Sequence, residues 1–123
     1  LIREDIIAKL EKFRLVDKYV AFRELQPSII LSTYDHREII NSILNNCSRD
    51  LLLLYQSKEL KPKKSFLKKV FVKCMSEITE ATVSTEDKEF AYDICWRLAE
   101  MIGADIRQTT GNRKWGYRKG KSN

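Results

Sequence analysis

Few side chains in this sequence have the types and spacing to do chemistry. Four carboxylates, Glu86, Asp87, Glu89 and Asp93, fall close together. Such a group can serve as acid and base or present a negative face to a basic partner. Ser84 and Thr85 precede it, and short hydroxyl side chains accept hydrogen bonds from the free N–H groups of a helix start. Acids in a first turn are favoured by the helix dipole. The helix start therefore accounts for Glu86 and Asp87 without catalysis, and the four acids are read as a docking rim for a basic partner. The lone His36 has no nucleophile beside it and reads as a surface residue.

Cys47, Cys74 and Cys95 are an odd set with no CxxC pair and no nearby His. Metal centres need closely spaced ligand pairs, so no metal is expected, and no cofactor. Cys74 and Cys95 fall on apolar helical faces and read as small buried hydrophobes. The cysteine pattern favours a reducing compartment, so a cytoplasmic location is expected. The sequence holds no GxSxG, no HExxH and no phosphate-cradling glycine loop. No catalytic residue is assigned, and the chain is read as a non-enzyme.

A second set of candidates is cationic. Lys68, Lys69 and Lys73 form a ridge on one helix, and a lysine ridge can meet phosphates. A solvated helix face is the plainer reading of that ridge. Near the end, Arg113, Lys114, Trp115, Tyr117, Arg118 and Lys119 interleave aromatics with basic groups. That composition suits single-stranded nucleic acid, whose bases stack on aromatic rings. The competing reading docks Trp115 onto the helices, because an indole left in water forfeits roughly 2–3 kcal/mol of burial.

Four helices are expected to position these groups. Ser84 to Ile102 is the clearest, with Phe90, Ile94, Leu98, Met101 and Ile102 at helical steps and Gly103 as a left-handed cap. Ala91 and Cys95 widen this stripe, and Lys88, Asp93, Arg97 and Glu100 are placed on the opposite face. The chain reads as organised around this helix. A first helix runs from Ile2 to about Phe13 on Ile2, Ile6, Leu10 and Phe13. The stripe continues through Val16, Tyr19, Val20 and Phe22, with a break at Asp17 as one outcome. Pro27 stops helix at Gln26. Asp35 with Glu38 resembles a capping box that opens a helix over His36 to Gln56. Leu51 to Leu54 is apolar all round, which calls for burial on two sides or an exposed patch for a partner. Pro62 suits the first position of a helix over Lys63 to Glu80, with Phe66, Leu67, Val70, Phe71, Cys74 and Ile78 on its buried face.

At 123 residues the chain is long enough for one core. Its 43% apolar and 33% charged content fits an ordered protein. Four Gly and two Pro are too few for a fold rich in tight β-turns. No apolar run approaches a membrane span, and Leu1 in place of Met points to a trimmed start. Lys and Arg total 23 against 17 Asp and Glu, a net charge of +6. All six surplus cations lie between Ile106 and Asn123, so the body is neutral and its charge alone names no nucleic-acid partner. The fold expected is all-α: a compact bundle of about four helices, residues 1–105, with a basic C-terminal segment, 106–123, partly docked through Trp115.

The run STEDKEF to LAEMIGAD, followed by TGNRKWGY, resembles the C-terminal half of a family of small bacterial proteins, domain of unknown function 4844. The matching positions are Thr85, Glu86, Asp87, Ile102, Gly103, Asn112, Trp115 and Tyr117. The resemblance covers about the last 60 residues and leaves out the basic end, Arg118 to Lys121. It implies an all-helical fold and a docked Trp115, and it transfers no activity. The function expected is a non-catalytic helical protein-interaction module, immunity-like in bacteria, with nucleic-acid binding through the basic aromatic tail as the alternative.

Overall fold

The computed structural model describes residues 2–57 and 61–106. The tail candidates Arg113, Lys114, Trp115, Tyr117, Arg118 and Lys119 lie outside them, as does the docking expected of Trp115. Among the described residues there are five α-helices, no strand, and two short 3-10 turns. The helices are α1 (Arg3–Leu15), α2 (Lys18–Ala21), α3 (Tyr34–Gln56), α4 (Lys64–Glu80) and α5 (Thr85–Met101). The 3-10 turns are Arg23–Leu25 and Pro27–Leu31. Four helices are long and pack as a bundle, which is the expected architecture.

The hub is α3, not α5: α3 packs against α1, α4 and α5, while α5 packs on α3 and α4. This explains Leu51 to Leu54. Neighbours on several sides bury Leu51 and Leu52 and partly cover Leu54, leaving only Leu53 exposed. Of the two outcomes open for this run, burial on more than one side is the one observed. Ser48, fully buried on α3, donates to the Leu10 carbonyl at 2.9 Å and lets α1 approach closely.

The stripe after Phe13 does break at Asp17. That carboxylate accepts from the Tyr19 N–H and caps α2. Thr33, not Asp35, caps α3, because its hydroxyl reaches the His36 N–H. Pro62 stands one residue ahead of the extended cap Lys63, so Lys64 opens α4. Gly103 closes α5 at φ 72°. The Ala104 N–H reaches back to the Ala99 carbonyl at 2.8 Å and the Gly103 N–H to that of Glu100, completing a Schellman motif.

Two placements add to the sequence reading. Ile106, the first residue of the expected C-terminal segment, is buried in the core. Asp93 is buried, because α5 meets α3 and α4 over a face wide enough to include the flank beside Phe90 and Ile94. Cys47, Cys74 and Cys95 meet inside the bundle, one from each of α3, α4 and α5, with 3.9 Å between the sulfurs of Cys74 and Cys95. Cys47 neighbours both, and those contacts and burial push its thiol pKa up. Among the described residues no helix is long and apolar enough to cross a membrane.

Candidate interaction site

The starts of α3 and α5 and the second 3-10 turn converge on one carboxylate, Asp87. It is the third residue of α5, after the cap Ser84. The Ser84 hydroxyl accepts from the Asp87 N–H at 3.1 Å and donates to Asp87 Oδ2 at 2.5 Å. His36, in the first turn of α3, places Nδ1 at 3.1 Å from the same oxygen. Asp87 Oδ1 accepts from Tyr19 of α2 at 2.8 Å and from Ser32 at 2.6 Å. One side chain thus joins four elements drawn from three stretches of chain, at residues 19, 32–36 and 84–87, that are distant in sequence.

The carboxyl is 1% exposed. Burial alone would raise its pKa, yet bonds from Ser32, Ser84, Tyr19 and His36 outweigh this and hold it below the ordinary value. Tyr19 moves upward, through burial and through the Asp87 charge it donates to. Its ring packs on Phe90 with centroids 4.8 Å apart, and the Arg37 guanidinium lies 5.5 Å from its centroid. Arg37 also donates to the Ile30 carbonyl, which ties the second 3-10 turn to α3.

A cavity of about 190 Å³ opens beside this knot. Ser28, Leu31, Ser32, His36, Glu86 and Asp87 contribute to its wall, and among the described residues no Lys or Arg does. Ser28 donates to Glu86 Oε2 at 3.0 Å, holding that carboxylate at the edge. Burying Ile29 at 2% exposure turns its neighbours outward: Ile30 is 55% exposed, Leu31 84% and Tyr34 73%. An apolar strip therefore adjoins an acidic cavity.

Chemically, Asp87 ties a structural knot. A carboxylate has about four lone-pair sites, and four side-chain donors occupy those of Asp87. The hydroxyls of Ser32 and Ser84 donate to that carboxylate and not to the imidazole. Among the described residues no group of His, Cys, Asp and Glu is placed to hold a metal ion.

The four acids read as one rim separate. Glu86 is exposed at the cavity, Glu89 is half-buried, and Asp87 and Asp93 are buried. The last two face the protein and cannot meet a partner directly. Lys68 and Lys69 are exposed on α4. Lys73 is exposed but paired, at 3.0 Å from Asp50 of α3 and 3.9 Å from Glu77. His36 is no free surface residue, since it is bound to Asp87. Tyr19 and Ser32 were absent from the candidates, as was the buried Lys18. The one sequence signal for the knot was the pair of hydroxyl clusters at two helix starts, Ser32-Thr33 and Ser84-Thr85. That pattern marks helix ends and says nothing about which two ends meet.

No curated protein and no solved structure matches this chain. A family model described as Domain of unknown function (DUF4844) matches residues 2–118, running through both halves of the chain, and the protein belongs to that family.

Proposed function

We propose that this protein is a non-catalytic binding module that docks a partner protein on the face built by the second 3-10 turn and the starts of α3 and α5. The observation that carries the reading is the exposed strip of Ile30, Leu31 and Tyr34 beside a cavity whose edge holds the exposed carboxylate Glu86 and, among the described residues, no Lys or Arg. Exposed contiguous apolar side chains rimmed by polar groups are a mark of interaction surfaces. The charge at the cavity favours a partner with an apolar contact flanked by Lys or Arg, and such complementarity speeds and orients encounter. The Asp87 knot supports this by holding the strip in one geometry before binding, which lowers the ordering cost.

In this reading the protein acts in the bacterial cytoplasm, and its three buried free thiols suit a reducing compartment. An immunity-like role is the narrower form of the proposal, and it requires that the docked partner lose an activity. The nucleic-acid alternative keeps Lys68 and Lys69 as exposed cations, while Lys73 is engaged by Asp50 and Glu77.

Affinity capture from the native host with the wild-type chain, Leu31→Lys and Tyr34→Ala tests the reading. The expected result is a basic protein held stoichiometrically by the wild type and lost by both variants, whose helical circular dichroism and Tm stay unchanged. A partner retained equally by both variants would overturn it, as would the absence of any stoichiometric protein.

A further inference from the structure

A second cavity, of about 60 Å³, lies at the start of α4. Its wall includes Tyr55, Lys61, Lys64, Leu67, Lys68 and Asp105, among the described residues three ammonium groups against one carboxylate. Tyr55 is 1% exposed, and its buried hydroxyl has no hydrogen-bond partner among the described residues. A buried hydroxyl left unpaired is costly, so a hydroxyl of this kind beside a cavity points to something that fills it. The helix offers a second attraction. Its cap Lys63 contributes no side-chain hydrogen bond, and its first turn holds no acid to offset the dipole. Free N–H groups and the positive end of a helix favour an anion.

We propose that this cavity binds a single phosphate group, free or carried on a larger molecule. The Tyr55 hydroxyl donates to one of its oxygens, and Lys61, Lys64 and Lys68 supply the balancing charge. Leu67 walls the site with apolar surface, where charge-assisted hydrogen bonds are stronger than in water. The volume suits one tetrahedral group rather than a whole nucleotide. The site stands apart from the docking face, and either proposal can fail alone.

The test is a titration of the full chain with inorganic phosphate, followed by backbone amide shifts, against chloride at matched ionic strength. Tyr55→Phe, Lys64→Gln and the control Lys69→Gln are titrated in parallel. Saturable shifts are expected in residues 61–68 and 102–106. Tyr55→Phe, which removes only an unpaired hydroxyl and keeps the core filled, is expected to weaken binding about tenfold, the effect of losing one hydrogen bond to a charged group. Lys64→Gln weakens it as well, and Lys69→Gln does not. Shifts identical in chloride, or a Tyr55→Phe variant that binds phosphate unchanged, would overturn the proposal and leave a cavity filled by water. Competition by a 5′-phosphorylated oligonucleotide, but not by its dephosphorylated form, would assign the phosphate to a nucleic-acid end. Failure of both to compete would assign it to the free anion.

Discussion

Replacing Asp87 is the most demanding test of the reasoning, because so many contacts pass through one residue. In Asp87→Ala, four side-chain donors lose their acceptor: Tyr19, Ser32, His36 and Ser84. Hydrogen bonds to a charged group contribute about 1.5–3 kcal/mol each. They do not add in full, because Ser32, His36 and Ser84 are partly exposed and can turn to water. Tyr19 is 3% exposed and cannot, so its hydroxyl carries a full desolvation cost. A net loss of about 3–5 kcal/mol follows, a large share of a small domain's stability. Asp87→Asn keeps the shape and one acceptor oxygen, and a loss of about 2 kcal/mol is expected. The pH dependence separates charge from shape. The carboxyl is held below its ordinary value in the folded state, so its contribution is complete above the ordinary carboxylate range and is lost as pH falls through and below it. Urea unfolding at pH 7 and pH 3, followed by circular dichroism, reads both effects. The gap between wild type and Asp87→Asn is expected to shrink at pH 3. A loss below about 1 kcal/mol for Asp87→Ala at pH 7 would refute the reasoning, as would a gap that does not change with pH.

Two further outcomes follow from particular contacts. Lys18 is fully buried, with Nζ 2.7 Å from the Val16 carbonyl, 2.6 Å from Asn45 Oδ1 and 4.5 Å from the Phe13 centroid. Burial, opposed by Asp17, lowers its pKa to about 8. Above pH 8 the unfolded chain keeps a proton that the folded chain releases, so stability rises with pH toward the unfolded value near 10.5. The rise is on the order of 3 kcal/mol over the full window. Lys18→Met should therefore lose this slope, as read by urea unfolding between pH 7 and 10, and a variant that keeps the slope would contradict the account. Gly103 at φ 72° holds a conformation that costs any residue with a Cβ, so Gly103→Ala should lose about 1 kcal/mol in the same measurement, and an unchanged midpoint would mean the cap does not contribute.

Much of the bundle was legible from local pattern. The apolar stripes on Ile6, Leu10 and Phe13, on Phe71, Cys74 and Ile78, and on Phe90, Ile94 and Leu98 are all buried. Helical period and core burial are one constraint, since residues three and four apart share a face. Ser84 and Gly103 were legible as caps for the same reason, because a cap depends on residues within one turn. The first helix shows the limit of the stripe: Ile2 has the right spacing but is 64% exposed, as it is the extended cap ahead of the first turn.

What the sequence determined by itself is helix, face and cap, because those depend on neighbours a few residues away. The tertiary structure alone decided which ends meet. His36 and Asp87 are 51 residues apart and Tyr19 and Asp87 are 68 apart, and no local pattern distinguishes an acid that serves only its own helix start from one that joins three further segments. The docking geometry of α1, α3 and α5 made that choice, and in making it turned the acidic rim inward at Asp87 and Asp93 and left Ile30, Leu31 and Tyr34 facing water.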